Sequence, residues 1–205
     1  MDGEQVVRGA DSLSDVKIGH LFMTRILGIS GSLRRGSFNS SLLRAAAELM
    51  PAGSELVIAT IENIPLYNGD VEAQGIPQSV TDLKKQIIDA NGLLLATPEY
   101  NSSVPGVLKN TIDWLTRPAT DIKIVFAGRP VAVMGATPGG FGTILSQNAW
   151  LPILRTLQTR HWFGGRIMVA RAGTVFDANG ALTDDAIKKQ LQQFMQGFVQ
   201  FINEH

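Results

Sequence analysis

The sequence predicts a three-layer α/β sandwich, in which a parallel sheet of five strands is covered by helices on both faces. Five short apolar runs are separated by segments in which apolar residues recur at helical spacing. Strands that alternate with helices form parallel sheets joined by right-handed crossovers. The chain has 205 residues, of which 44% are hydrophobic, and this is enough for one well-buried domain.

The first half of the chain supplies three strands and two helices. Residues 26–30 form the first predicted strand, and apolar residues at helical spacing follow over 42–50. Residues 55–60 form the second strand. Pro77 suits the start of the next helix, because proline is favoured in a first turn. Residues 92–97 form a third strand that is apolar enough to be buried on both faces.

The second half of the chain continues the alternation of strands and helices. Pro105 opens a helix, residues 129–137 form the fourth strand, and another helix covers about residues 143–159. Residues 165–170 form the fifth strand. The last helix has a long apolar stripe, and Asp184 in its first turn suits the positive end of the helix dipole.

Five strands favour the flavodoxin-like order 2-1-3-4-5 over the six-stranded order of dinucleotide-binding folds. Ligands in such sheets bind beyond the carboxyl ends of the strands, at the switch point between strands one and three. The loops at that edge cover residues 31–39, 98–104 and 137–142. We expect the domain to span 25–205, and we predict that the polar residues 1–24 form a disordered extension.

Charge and composition exclude several classes of function. Eighteen basic residues balance eighteen acidic ones, whereas nucleic-acid-binding proteins carry a basic excess. The absence of cysteine excludes disulfides and thiolate catalysis, and three histidines are too few for a convincing metal site. No apolar run approaches the roughly 18 residues that span a bilayer. We therefore expect a cytoplasmic protein that binds neither membranes nor nucleic acid and has no metal.

The first loop nearly matches three motifs. Gly31 and Gly36 have the spacing of a Walker A loop, but the lysine that must follow the second glycine is missing. The loop also lacks the second glycine of the dinucleotide fingerprint. Residues 28–32 fall one glycine short of the nucleophile elbow of serine hydrolases.

The groups that remain in this loop favour phosphate binding. Ser32 and Ser37 supply hydroxyls, Asn39 supplies an amide and Arg34 supplies a cation, beside the free backbone N–H groups of a helix start. Such a set is suited to a phosphate monoester. The simpler alternative is that Ser37 or Asn39 only caps the helix.

The other two loops have features of a binding site for a flat ligand. Pro98 to Asn101 follow the third strand, where Asn101 can hydrogen-bond a heterocycle and Tyr100 can cover an aromatic face. Glu99 is either a general base or a surface carboxylate that contacts another subunit. Thr137, Gly139 and Gly140 follow the fourth strand, where glycine lets the backbone approach a ligand closely.

Three segments together resemble the NADPH-dependent FMN reductase family, and within it the bacterial chromate and quinone reductases. The resemblance covers about residues 25–204, and its segments are GISGSLRRGSFNSSLL, PLYNGDVE and ATPEYNSSVPGVLKNTIDWLTRP. It implies a flavodoxin-like fold that binds FMN non-covalently. The first loop then holds the phosphate, residues 98–101 line the isoalloxazine, and the loop around 137–140 completes the site.

The resemblance also implies an activity and an assembly. Hydride passes from NAD(P)H to bound FMN, and then to an acceptor such as a quinone, chromate, a ferric ion or an azo compound. No catalytic side chain is required, and Glu99 and Arg117 are candidate contacts with substrate or with another subunit. Relatives are usually homodimers or homotetramers. The segment ATPGGFG differs from the Ser-rich loop of the chromate reductases, which leaves the acceptor open.

Two alternative functions and the choice of nicotinamide remain open at this point. A flavodoxin-type electron carrier would not oxidise NAD(P)H directly, and such carriers tend to be strongly acidic, unlike this chain. A flavin-binding sensor or scaffold is a weaker possibility. Arg35 either approaches the 2′-phosphate of NADPH or faces solvent.

Overall fold

A parallel sheet forms the centre of the molecule in the computed structural model, which describes residues 23–204. The strands β1 (Thr24–Ser30), β2 (Ser54–Ala59), β3 (Gly92–Ala96) and β4 (Pro130–Ala136) lie in the order β2-β1-β3-β4, and all neighbours are parallel. The flavodoxin-like order is therefore confirmed. Thr24 already belongs to β1, one residue before the predicted domain boundary, and residues 1–22 of the predicted extension lie outside the described residues.

The fifth position of the sheet holds two short strands instead of the single strand predicted at 165–170. Both β5 (Arg160–His161) and β6 (Met168–Val169) pair with β4 in parallel. Between them the Trp162 ring packs against Phe194 and Phe198, at centroid distances of 4.9 and 5.6 Å. The predicted run at 165–170 corresponds to β6 alone, whereas β5 precedes Trp162, whose amide donates to the Val131 carbonyl of β4 at 2.9 Å.

Helices cover both faces of the sheet. One face carries α1 and α7, and the other carries α3, α4, α5 and α6. The helices in chain order are α1 (Phe38–Glu48), α2 (Gly69–Gln74), α3 (Gln78–Ile88), α4 (Gly106–Leu115), α5 (Asp121–Val125), α6 (Ile144–Thr156) and α7 (Asp185–Asn203).

The two hydrophobic cores follow from the alternation of side chains along the strands. In β3, Leu93 and Leu95 pack in the core beneath α3 and α4, whereas Leu94 and Ala96 pack beneath α1 and α7. All four side chains are almost fully buried. A strand buried on both faces must be apolar throughout, which explains the continuous apolar run that predicted it.

The predicted helix starts agree with the structure. Pro77 and Pro105 are the cap residues of α3 and α4. Asp184 caps α7, because its carboxylate accepts a hydrogen bond from the amide of Ile187 at 2.9 Å. These three residues mark the positions at which α3, α4 and α7 begin.

Two short helices were not predicted. α2 has six residues and no buried side chain, and α5 has five residues, so neither produces an apolar stripe in the sequence. Among residues 23–204, no helix combines the length and hydropathy needed to span a bilayer.

Candidate functional site

Three loops meet at the carboxyl edge of the sheet. They follow β1, β3 and β4, and the strand order places the first two side by side at the switch point. Hydrogen bonds join their starts: the Gly31 amide donates to the Ala96 carbonyl at 2.8 Å, and the Thr97 amide donates to the Met134 carbonyl at 2.8 Å. The predicted site residues on these loops therefore lie at one edge.

Hydroxyls and free amides surround the start of α1. The Ser37 hydroxyl caps the helix by accepting from the Ser40 amide at 3.4 Å, and the Ser40 hydroxyl donates to Ser30 Oγ at 3.0 Å. Within the described residues, the amides of Phe38 and Asn39 have no partner, as is usual for a first helical turn. The capping alternative thus holds for Ser37, and donors suited to a phosphate remain.

Arg34 supplies positive charge beside this turn. Its side chain is exposed, and its guanidinium lies over the ring of Phe38, 5.5 Å from the centroid. It pairs with no carboxylate in residues 23–204. Its charge is therefore available to an anionic ligand.

Asn39 has a structural role that the sequence did not indicate. Its side chain is 3% exposed, its Nδ2 donates to the Ala136 carbonyl at 2.9 Å, and its Oδ1 accepts from the Ala136 amide at 2.9 Å. This pair of hydrogen bonds connects the first turn of α1 to the end of β4. Only the backbone amide of Asn39 is left without a partner.

Gly31 allows the first loop to pack closely on the second. A Cβ at this position would lie between 2.8 and 3.1 Å from atoms of Pro98, Pro105 and Leu108. Only glycine permits this approach without displacing a side chain. The loops after β1 and β3 are thereby held in contact.

The loop after β3 contains a tight two-residue turn. Tyr100 and Ser103 exchange backbone hydrogen bonds at 3.1 and 3.0 Å, and the residues between them, Asn101 and Ser102, have φ of 49° and 61°. Two successive left-handed residues are typical of a type I′ turn. The turn leaves Tyr100 47% exposed, with its hydroxyl 3.5 Å from Ser32 Oγ in the first loop.

Glu99 caps α6. Its Oε2 accepts hydrogen bonds from the amides of Leu145 and Ser146 at 2.8 and 3.2 Å. A carboxylate is favourable there because the helix dipole presents positive charge at the N-terminus. Glu99 thus connects the loop after β3 to the helix that follows the loop after β4.

A buried polar network lies behind these loops and was missed by the sequence reasoning. The hydroxyls of Thr97 and Ser146 are 2.8 Å apart, and Trp150 Nε1 donates to Thr97 Oγ1 at 3.1 Å. All three residues are fully buried. No sequence signal marks this network, because Thr97, directly after β3, and its partners in α6 are about fifty positions apart in the chain.

The loop after β4 presents open backbone. Gly139 and Gly140 are exposed, and a Cβ at Gly140 would meet no atom within 4 Å. The Gly139 amide donates to Thr137 Oγ1 at 3.4 Å, and the Gly139 carbonyl accepts from the Arg171 amide at 2.8 Å. The loop is therefore anchored on one side and open on the other, as the sequence predicts for a surface that borders a flat ligand.

Arg117 lies apart from the three loops within one chain. It follows α4, whose ten residues span roughly 15 Å, while the loop after β3 precedes that helix. Its Nε donates to the Glu72 carboxylate at 2.9 Å, and the Tyr67 hydroxyl donates to the same carboxylate at 2.8 Å. The predicted contact of Arg117 with another subunit stays a prediction.

This ion pair changes the proton affinity of its members. The hydrogen bond from Arg117 lowers the pKa of the Glu72 carboxyl below its ordinary value of 4.5. The hydrogen bond to Glu72 raises the pKa of Tyr67 above its ordinary value of 10.0. Together these contacts attach α2 to the end of α4.

The donor set at the edge of the sheet fits FMN. Free amides, serine hydroxyls and Arg34 match a terminal phosphate, and the glycines of the third loop leave room beside a planar ring. No group of three or more His, Asp or Glu residues suited to a metal occurs in the part of the chain that the structure describes.

Known proteins share both the sequence and the fold. The family model of NADPH-dependent FMN reductases matches residues 24–174. An NAD(P)H-dependent FMN reductase of Pseudomonas aeruginosa is 45% identical over 172 residues, covering 84% of this chain and 91% of the relative. A 2-hydroxy-1,4-benzoquinone reductase of a Burkholderia species is 35% identical over 180 residues, covering 88% of this chain and 97% of the relative.

A solved structure of a related flavoenzyme also shares the fold. The flavoenzyme NAD(P)H:(acceptor) oxidoreductase FerB of Paracoccus denitrificans superposes with a TM-score of 0.80 and 34% identity, covering 89% of this chain and 98% of that chain. Together with the strand order described above, these matches show that the chain belongs to the NADPH-dependent FMN reductase family, oxidoreductases of flavodoxin-like fold that use FMN with NAD(P)H.

Proposed function

We propose that the protein takes reducing equivalents from NAD(P)H and delivers them to a small quinone. The observation that carries the proposal is the set of unpaired amides and serine hydroxyls at the start of α1, in a loop that packs through Gly31 against the loop after β3 at the switch point. The chemistry that bound FMN would supply is hydride transfer, first from NAD(P)H to the flavin and then from the flavin to the acceptor.

The chain's own residues bind and orient the cofactor in this proposal. The phosphate is held by the free amides of Phe38 and Asn39, together with the side chains of Ser32, Arg34 and Ser37. Residues 98–101 and 137–140 border the ring, and Tyr100 is exposed enough to cover it. Glu99 positions two of these loops relative to each other through its contacts with α6. No side-chain acid or base is assigned.

The names of relatives support a quinone as the acceptor. Besides the benzoquinone reductase described above, a quinone reductase of Pseudomonas putida is 35% identical to this chain over 171 residues. Chromate, ferric ion and azo compounds are the other acceptors with which NAD(P)H oxidation should be measured.

We also propose that the protein is a homodimer or homotetramer in the cytoplasm. Large apolar side chains are exposed near α6, among them Phe141 at 88%, Phe163 at 74% and Ile144 at 47%. Light scattering after size exclusion measures the assembly, and a monomer at micromolar concentration would contradict it. Cell fractionation tests the location.

The decisive experiment titrates the purified protein with FMN and then follows NAD(P)H oxidation with each acceptor. We expect a bound-flavin spectrum and turnover with quinones above that of free FMN, which serves as the control. A protein that binds no FMN and oxidises neither nicotinamide would refute the proposal. Bound FMN without NAD(P)H turnover would instead indicate an electron carrier.

A further inference from the structure

The buried polar network behind the site ends on the backbone of the loop after β3. Besides its contacts with Ser146 and Trp150, the Thr97 hydroxyl lies 3.0 Å from the carbonyl oxygen of Pro98. Thr97 and Pro98 are both buried, so bulk water does not compete for this contact. The proposed function assigns no role to the network.

Only one arrangement of protons satisfies all the contacts of the Thr97 hydroxyl. An indole N–H can only donate a hydrogen bond, and a carbonyl oxygen can only accept one. The hydroxyl therefore accepts from Trp150 Nε1 and donates its single proton to the Pro98 oxygen. Its second lone pair accepts from the Ser146 hydroxyl, 2.8 Å away. The proton of Thr97 is thus committed to the Pro98 carbonyl.

This hydrogen bond fixes the orientation of the peptide that joins Pro98 to Glu99. The peptide is trans, since the cis peptide bond of residues 23–204 joins Arg117 to Pro118. In a trans peptide the C=O and the N–H point in opposite directions. Because the carbonyl is held in the buried network, the Glu99 N–H points away from that network. The Glu99 amide donates to no acceptor in the described part of the chain.

The first turn of α6 holds the residues on both sides of Pro98. The Ser146 hydroxyl contacts Thr97, and the Ser146 amide donates to the Glu99 carboxylate at 3.2 Å. The Leu145 amide donates to the same carboxylate at 2.8 Å. The Glu99 amide is therefore a donor whose direction is set before any ligand binds. A preorganised donor of this kind needs no reorganisation when charge develops beside it.

We propose that Thr97 is a positioning residue that directs the Glu99 amide toward the flavin ring. This inference rests on the proposed function, in which residues 98–101 border the ring. Reduction adds negative charge to the ring, which an N–H donor stabilises and a carbonyl oxygen opposes. Without the Thr97 hydroxyl, the Pro98 carbonyl loses its partner and the peptide is free to turn. Thr97 therefore favours the binding of reduced FMN over that of oxidised FMN.

The test measures the midpoint potential of bound FMN by equilibration with a reference dye. Thr97→Val removes the hydroxyl and keeps a branched side chain of similar shape. We expect the affinity for reduced FMN, relative to oxidised FMN, to fall about ten-fold, as the loss of a hydrogen bond to a charged group implies. For a two-electron couple this lowers the potential by about 30 mV. Thr97→Ser restores the hydroxyl and should return the potential to the wild-type value.

Trp150→Phe is the matched control. It removes a donor from the same buried network but leaves the Thr97 hydroxyl able to donate to Pro98. Thr97→Val and Trp150→Phe should both lower the midpoint of urea unfolding, because each removes a buried hydrogen bond. The potential of bound FMN should fall only in Thr97→Val, which separates positioning from a general loss of stability.

A wild-type potential in Thr97→Val, or an equal fall in Trp150→Phe, would overturn the proposal. If Thr97→Val does not fold, Thr97→Cys replaces it, because a thiol is a weaker donor than a hydroxyl. Its potential should fall by a smaller amount, and an unchanged potential would also overturn the proposal. A wild type that binds no FMN would refute the proposed function and this inference together. Turnover of NAD(P)H by the wild type, with equal potentials in all variants, would overturn this inference alone.

Discussion

Arg34 is the exposed cation nearest the first turn of α1, and its guanidinium rests on the ring of Phe38. In the proposed site it donates a charge-assisted hydrogen bond to the FMN phosphate. We expect Arg34→Ala to weaken FMN binding by about 1.5–3 kcal/mol, which fluorescence titration measures as a rise in Kd of roughly ten-fold or more.

The control for this prediction is Arg155→Ala. Arg155 is also exposed and lies in the last turn of α6, so its loss removes one positive charge at a position outside the three loops. Equal FMN affinities of Arg34→Ala and Arg155→Ala would refute the role of Arg34.

Ser102 adopts a backbone conformation that favours glycine. Its φ is 61° and it occupies the second central position of the turn between Tyr100 and Ser103, where glycine is preferred. The left-handed conformation costs about 1–2 kcal/mol, and the greater freedom of glycine in the unfolded chain offsets part of the gain. We expect Ser102→Gly to stabilise the fold by about 0.5–1 kcal/mol in urea unfolding.

Asn101→Gly is the companion variant for this turn. Asparagine tolerates the left-handed region better than serine, so a smaller gain is expected. A Ser102→Gly protein no more stable than the wild type would show that the cost of the left-handed conformation is no larger than the entropic cost of introducing glycine.

At the scale of elements, Glu99 connects the loop after β3 to α6. Replacing its carboxylate by an amide removes the charge–dipole interaction, so Glu99→Gln should destabilise the fold by about 0.3–1 kcal/mol in urea unfolding. A general base would contribute 10²–10⁴-fold to the rate, whereas we expect kcat to fall less than about ten-fold. A loss of 10²-fold or more in kcat would restore the general-base interpretation.

The attachment of α2 to α4 should depend on pH. The pKa of Glu72 is lower in the folded chain than its ordinary value of 4.5, so the unfolded state binds more protons at this group. Its contribution to stability is complete above pH 4.5 and is lost as the pH falls through the folded-state pKa.

The variant Arg117→Gln removes the main cause of this shift. We expect it to be less stable than the wild type at neutral pH, and we expect the difference to shrink as the pH falls below 4.5. Urea unfolding at several pH values measures it, with Arg155→Gln as the control. A difference that is independent of pH would show that Arg117 acts through packing alone.

At the scale of the whole molecule, apolar runs predicted the sheet because β1, β3 and β4 are largely buried strands with continuous or nearly continuous apolar sequence. The order of the strands and the edge that carries the site then followed from general rules of α/β folds. Pro77, Pro105 and Asp184 also predicted helix starts, because capping depends on local sequence.

The features that were missed depend on contacts between distant segments. The amide of Asn39 reaches Ala136 and the carboxylate of Glu99 reaches α6, and neither partner is visible from local spacing. The apolar run at 165–170 predicted β6, whereas β5 consists only of Arg160 and His161 and has no apolar run that could predict it. The roles of the residues that are predicted to contact FMN stay predictions.

The divided fifth strand has a consequence for aggregation. An exposed β-edge can accept a strand from another molecule, and long straight edges are the most hazardous. Among residues 23–204, the edge of the sheet beyond β4 consists of Arg160–His161 and Met168–Val169, two residues each. A foreign strand therefore meets two short, separate segments on this side instead of one long run of backbone groups, and this shortness protects the molecule against edge-to-edge growth.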